Sequence, residues 1–303
     1  MMALGEYLAD IVQSWTMFDT SMGAVARITD FSKKLPQEQQ GHGSSKEDWF
    51  AHGDIDVKGL TASYSPTADP ILRDINLSFK AGQKIAICGR TGSGKSSLAS
   101  ALFGLLHIQS GTILADGYDI TKVSQDDLRN RMIALPQDPY FCPGTVRSNL
   151  ALREVESTTV TDQEMLSALD KVGLKSKFEA LAAASVSWQT ALDVTLNPSD
   201  MLTRGQQQLF ALARSLLCKG QLLMIDEATS GLDAESDRLV QRLIRSEFKG
   251  RTIVAVAHRL LTIMDFDMVV VMDAGRVVEV GCPAELRDIE GGRFAALVRS
   301  GGV

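Results

Sequence analysis

The stretch Gly89-Arg90-Thr91-Gly92-Ser93-Gly94-Lys95-Ser96 fits the pattern GxxxxGK[ST]. It stands between a short apolar run, Lys84–Cys88, and a helical pattern from Lys95 to about Leu106. A strand, a glycine-rich turn and a helix in this order constrain the fold more than any other feature of the chain. Gly89, Gly92 and Gly94 let the backbone close tightly, so that several N–H groups and the helix N-terminus face one point of negative charge.

The rest of the chain extends this unit. Asp54–Tyr64 and Ile75–Phe79 read as strands, as do the apolar runs Leu222–Ile225, Thr252–Val256 and Met268–Val271, with helical patterns between them. Short buried strands alternating with helices indicate an α/β domain with a largely parallel sheet. From Gln137 to Gly205 the pattern turns helix-rich, which suggests an inserted helical subdomain at about 145–218. Before the domain, Leu4, Leu8, Ile11, Trp15, Phe18, Met22 and Val25 recur at steps of three and four, the stripe of an amphipathic helix. Glu6, Asp10 and Asp19 interrupt it too often for burial in lipid. The polar segment Lys33–Glu47, with Pro36 and Gly41-His42-Gly43-Ser44-Ser45, reads as a linker. The expected division is therefore 1–32, a linker over 33–50, and the α/β domain over 51–303.

Composition excludes several classes. The 303 residues carry a formal charge of −6, which disfavours a nucleic-acid partner. Cys88, Cys142, Cys218 and Cys282 form no CxxC pair and are expected as buried, reduced thiols of a cytosolic face. No leader pattern opens the sequence, and no apolar run reaches the roughly 18 residues of a membrane span.

A second constellation supplies acid groups. The apolar Leu222–Ile225 runs into Asp226 and Glu227. Beside a phosphate loop, Asp226 suits the shell of a Mg²⁺ ion, and Glu227 suits the orientation or deprotonation of an attacking water. In the loop, Lys95 is suited to the β- and γ-phosphates and the Ser96 hydroxyl to the metal. Gly89, Gly92, Ser93, Gly94, Lys95, Ser96 and Ser97 are the candidate phosphate-binding residues.

These residues, in this order, resemble the ATP-binding-cassette (ABC) ATPases over roughly Asp54–Val298. The resemblance implies a P-loop NTPase domain with an antiparallel β subdomain and a helical insert, taking ATP and Mg²⁺ as cofactors. It further implies that Tyr64 stacks on adenine, and that Gln137, in Leu135-Pro136-Gln137-Asp138, is the glutamine loop residue contacting Mg²⁺. Leu202-Thr203-Arg204-Gly205-Gln206 would be the signature, with Leu202, Thr203, Gly205 and Gln206 contacting nucleotide. Ser230-Gly231-Leu232-Asp233 would be the D-loop, and His258 the switch histidine at the γ-phosphate.

The signature departs from the family's LSGGQ. Thr203 keeps a hydroxyl, whereas Arg204 replaces a glycine whose position is expected to need close backbone approach and φ > 0. In head-to-tail ABC pairs a signature serves the partner's nucleotide, so the cost would fall on the other site while Glu227 keeps this one competent. That asymmetry resembles the second ATPase domain of the multidrug-resistance-associated (C) subfamily of exporters. Gln137-Asp138-Pro139, Gly144-Thr145-Val146-Arg147-Ser148-Asn149-Leu150 and, near the N-terminus, Trp15-Thr16 with Gly23–Ile28 carry the same resemblance. It implies a partial chain: residues 1–32 as the cytoplasmic end of a last transmembrane helix, with transmembrane domains and a second ATPase domain of intact signature as partners. The location implied is the cytoplasmic face of a membrane. Alternatives are an ATP-binding regulatory or vestigial fragment, a soluble ABC protein acting on nucleic acid or the ribosome, and a nucleotide kinase using the same loop.

Overall fold

The computed structural model describes residues 2–34, 49–152, 160–184, 190–228, 232–257 and 260–300. The chain divides into two compact units, 1–40 and 41–303. The described residues of the first form one helix, Met2–Lys34. Leu8, Ile11, Trp15, Phe18, Met22 and Val25 of the apolar stripe are all exposed, and so are Tyr7, Val12, Met17, Ile28 and Phe31. Among the described residues no helix is long and apolar enough to cross a membrane. Most of the expected linker, residues 35–48, lies outside the described residues.

The second unit opens with Trp49 and Phe50, stacked with ring centroids 5.9 Å apart and both buried, although the sequence reading assigns them to the end of the linker. It contains two sheets. One is four-stranded and antiparallel, in the order β2–β1–β4–β5, from β1 (Ile55–Ser63), β2 (Leu72–Phe79), β4 (His107–Ala115) and β5 (Tyr118–Asp119). The other is six-stranded, in the order β10–β9–β3–β8–β7–β6. Its members are β3 (Lys84–Gly89), β6 (Met132–Leu135), β7 (Leu222–Asp226), β8 (Thr252–Val256), β9 (Met268–Asp273) and β10 (Arg276–Gly281). All neighbours in this sheet run parallel except β9 and β10, which form an antiparallel hairpin.

Burial explains which strands are continuous apolar runs. Every residue of β8 is buried, as are Leu222–Ile225 of β7, because helices cover both faces of a parallel sheet. In β2, Leu72, Ile75, Leu77 and Phe79 point into the core and polar residues between them point out. The two sheets share one core, in which Leu98, Ala99, Ala101 and Leu102 of the helix Lys95–Leu102 meet Ile85 and Ile87 of β3 and Val57 and Leu60 of β1. A second core joins β6 and β7 to the helices Asp162–Lys171, Lys175–Ala183 and Arg204–Leu216. At its centre Phe210 lies 5.4 Å from Phe141 and meets Phe178 edge-on at 6.1 Å. Buried Thr252 crosslinks the unit: its hydroxyl donates to the Gly53 carbonyl at 2.7 Å and accepts from the Gly82 N–H at 3.0 Å.

Two expectations are corrected. The helix after the phosphate loop ends at Leu102, not near Leu106, because Gly104 takes φ +66 and Leu106 leads into β4. Of the four cysteines only Cys88 is buried; Cys142 and Cys218 are half-buried and Cys282 is exposed.

Candidate functional site

The phosphate loop leaves β3 at Gly89, paired with Met272 of β9. Gly89 takes φ +148, and a Cβ there would lie 2.3 Å from the Met272 carbonyl oxygen, so no other residue fits. The loop is buttressed from the β9–β10 hairpin, where the Gly275 N–H donates to the Ser93 carbonyl at 2.9 Å. At its far end Gly94 takes φ +102 and starts the helix Lys95–Leu102, whose first N–H groups consequently face the loop.

Lys95 is 6% exposed. Its ammonium donates to two carbonyls of its own loop, Gly89 at 3.0 Å and Arg90 at 3.1 Å. Burial pushes its pKa below the usual lysine value, and the charges of Glu227 and Asp226 oppose that shift. Ser93 Oγ is buried with no hydrogen-bond partner. A buried cation on neutral acceptors, an orphaned hydroxyl and a helix N-terminus together fit an anionic phosphate group. The Cys88 thiol beneath the loop is pushed up to about 12 by burial and is inert.

One consequence concerns pH. An anion bound beside Lys95 favours its protonated form and raises the depressed pKa, so binding takes up protons wherever the empty site has begun to lose them. Affinity for a nucleotide therefore falls as pH rises through the lowered Lys95 pKa, already below the ordinary 10.5. Calorimetry in two buffers of different ionisation enthalpy measures the uptake; proton release at alkaline pH would contradict it.

Across the neighbouring β8, β7 ends in Asp226 and Glu227 follows it, both half-buried and both acting on Lys95 electrostatically. Glu227 takes φ +48, a left-handed conformation that costs a non-glycine residue about 1 kcal/mol or more and that collects at functional sites. Tyr64 is 63% exposed and its hydroxyl shares a 3.1 Å hydrogen bond with Ser97 Oγ, which sets the ring beside the helix that follows the loop. Ser96 is exposed at the first turn of that helix.

Gln137, two residues past β6, is exposed, and its carbonyl accepts from Gln208 Nε2. Leu202 is buried, and Thr203 caps the helix Arg204–Leu216. The Thr203 hydroxyl accepts from the Gln206 N–H at 3.2 Å and Gln206 Oε1 accepts from the Thr203 N–H at 3.2 Å, a reciprocal capping box. Lys177 Nζ donates to the same Gln206 oxygen at 2.6 Å. Gly205 lies in the first turn of this helix.

Arg204 corrects a further expectation, that its position needs φ > 0. It is the first residue of the helix and is absent from the residues with positive φ, so its backbone needs no glycine. Its guanidinium points outward, 85% exposed, and pairs with Asp138 at 3.3 Å. No sequence pattern marked that pair, because its members lie 66 positions apart. The contact of the β9–β10 hairpin with the loop escaped the sequence reading for the same reason. His258, Ser230 and Gly231 lie outside the described residues. Asp233 caps the helix Ala234–Glu247, and hydrogen bonds from Ser236 hold its carboxyl below the usual range.

The structure thus brings Lys95, Ser93, Asp226 and Glu227 to one place, with Tyr64 and Ser97 beside it. Among the described residues no hydrogen bond joins Leu202–Gln206 to this group.

Comparison with known proteins identifies the family. The family model described as "ABC transporter" matches residues 72–230, just over half of the chain. "ABC transporter ecdL" of Aspergillus rugulosus is 40% identical over 303 residues, 99% of this chain and 20% of its own length. "ABC multidrug transporter B" of Aspergillus fumigatus is 40% identical over 294 residues, covering 96% of this chain and 19% of that protein. "ABC transporter ATP-binding protein/permease VMR1" of Saccharomyces cerevisiae is 34% identical, with 96% and 19% covered. The chain therefore spans about a fifth of the length of these curated relatives. Among solved structures, a bacterial Atm1-family ABC exporter with ATP bound is 28% identical with a TM-score of 0.71, over 82% of this chain and 42% of that one.

Proposed function

The chain belongs to the ABC transporter family, and on that premise we propose that it is an ATP-hydrolysing engine domain for export, of the multidrug-resistance-associated type and second in its protein. The observation that carries the proposal is the pair Asp226 and Glu227 facing the buried Lys95 across β8, with Glu227 held at φ +48.

Residues 89–97 grip the triphosphate, with Lys95 at its terminal phosphates and the Ser93 hydroxyl acquiring the partner it lacks. Tyr64, anchored through Ser97, offers its exposed ring as a platform for adenine. Ser96, Asp226 and Gln137 would hold Mg²⁺, which neutralises charge on the β- and γ-phosphates. Glu227 orients a water for in-line attack on the γ-phosphorus and accepts its proton, and His258 steadies the developing charge on the γ-phosphate.

The second half of the site comes from elsewhere. Thr203, Gly205 and Gln206 stand apart from the phosphate loop and serve the nucleotide of a head-to-tail partner, while an intact signature on that partner closes on Lys95. The partner and the transmembrane domains place the assembly at the cytoplasmic face of a membrane.

Mixing decides this. Turnover per chain, low for the chain alone, should rise about tenfold or more when an ATPase domain carrying LSGGQ is added, because aligned donors to the transferring phosphoryl group are then supplied. Turnover that ignores both protein concentration and the added partner would overturn the two-site reading and favour a regulatory fragment.

A further inference from the structure

Against the phosphate loop lies a cleft of about 510 Å³, lined in part by the loop residues Gly89, Arg90 and Thr91. Its inner wall is Gly89, Arg90 and Thr91 with Val271–Asp273 of β9, and its outer wall is Val278 of β10 with Arg293, Ala296, Leu297 and Ser300 of the helix Arg293–Arg299. Val278 is 42% exposed although apolar, and Ala296 is exposed beside half-buried Leu297. Its lining includes two guanidiniums and one carboxylate: Arg293 sits 3.7 Å from Asp273 and Arg90 is exposed, while the Glu279 carboxylate is occupied by the N–H groups of Arg293 and Phe294. An apolar trough of this volume whose lining includes the exposed guanidiniums of Arg90 and Arg293 complements an apolar chain ending in an anion.

We propose that this cleft is a ligand site for amphipathic carboxylates and that its occupation is coupled to the phosphate loop. The hydrocarbon would lie on Val278, Ala296 and Leu297, with the carboxylate between Arg90 and Arg293 and within reach of the Thr91 and Ser300 hydroxyls. Coupling follows from shared atoms. Gly89 and Arg90 form the cleft wall, and their carbonyls hold Lys95 Nζ at 3.0 and 3.1 Å, so a ligand that shifts this wall shifts the lysine.

Octanoate titrated calorimetrically into the purified chain provides the test, with octanol as the uncharged probe. Octanoate should bind saturably and octanol at least about threefold more weakly, the worth of an exposed charge pair. Ala296→Trp, which fills the trough from an exposed position, should weaken octanoate about tenfold or more. Arg293→Glu should weaken octanoate and leave octanol unchanged. Saturating octanoate should shift the Kd for MgATP about fivefold, and MgATP should shift the octanoate Kd by the same factor. No saturable octanoate binding, binding indifferent to both substitutions, or an ATP affinity indifferent to octanoate would each overturn the proposal. The octanoate arms do not depend on nucleotide: a chain that binds octanoate but no ATP contradicts the ATPase reading and leaves the ligand site standing.

Discussion

Glu227→Gln should leave MgATP binding intact, or tighten it, while lowering turnover by about a hundredfold to ten-thousandfold, the range associated with a positioned general base. Glutamine keeps the shape and can still hold a water, but it cannot accept the proton that must leave as the oxygen attacks phosphorus. Removing a negative charge that faces the γ-phosphate relieves repulsion, which is why affinity does not fall. Single-turnover kinetics on the chain assembled with an intact-signature partner separates the two effects; equal turnover in variant and parent would remove Glu227 from the mechanism. The backbone supplies an independent readout. Because Glu227 occupies φ +48, Glu227→Gly should raise the stability of the nucleotide-free domain by about 1 kcal/mol while abolishing turnover. Activity purchased with backbone strain gives opposite signs for stability and function at one position, and thermal unfolding checks it.

Lys95→Ala has the second large effect, on affinity. The ammonium is buried and donates to the carbonyls of Gly89 and Arg90, the second of which also accepts from the Ser93 N–H at 3.1 Å. Its loss removes the protein's own buried cation from the terminal phosphates, which then face Asp226 and Glu227 with only the charge of Mg²⁺ to offset the repulsion. Truncating one partner of a buried charge pair costs about 2–5 kcal/mol, so the Kd for MgATP should rise by about 30-fold to several thousandfold. Lys95→Arg should not restore it, because a planar fork cannot occupy the volume of a compact ammonium wedged between two carbonyls. Fluorescence titration with MgATP measures both variants, and an unchanged Kd for Lys95→Ala would show that the buried lysine serves the loop alone.

Both residues are legible in the sequence because their chemistry is local. Lys95 follows Gly94 directly, and a helix N-terminus is encoded within a few residues of itself. The buried strands β3, β7 and β8 were equally visible as uninterrupted apolar runs. Strands with weaker local signals were not. β4, His107–Ala115, is mostly exposed and pairs with β1 through two register shifts, and β10 alternates between exposed and half-buried residues at a sheet edge. The four residues of β6 were too short to stand out from the helix-rich sequence that follows them.

Arg204 shows where reading by pattern failed. An arginine in place of glycine implied a strained backbone, yet the position is the ordinary first residue of a capped helix, where arginine costs nothing in φ. At this position a guanidinium reaches Asp138, beside Gln137, so the helix Arg204–Leu216 and the segment after β6 are joined by an exposed ion pair.

By itself the sequence determined the phosphate loop, the acids that follow an apolar strand and the alternation that makes an α/β domain, since each is written within about ten consecutive residues. Only the tertiary structure decided that β8 lies between β3 and β7, which sets Glu227 opposite Lys95 from 132 positions away, and that the β9–β10 hairpin and the last helix form a cleft against the loop. Sheet order is chosen by the burial of all faces at once, a property of the whole core that no local spacing records.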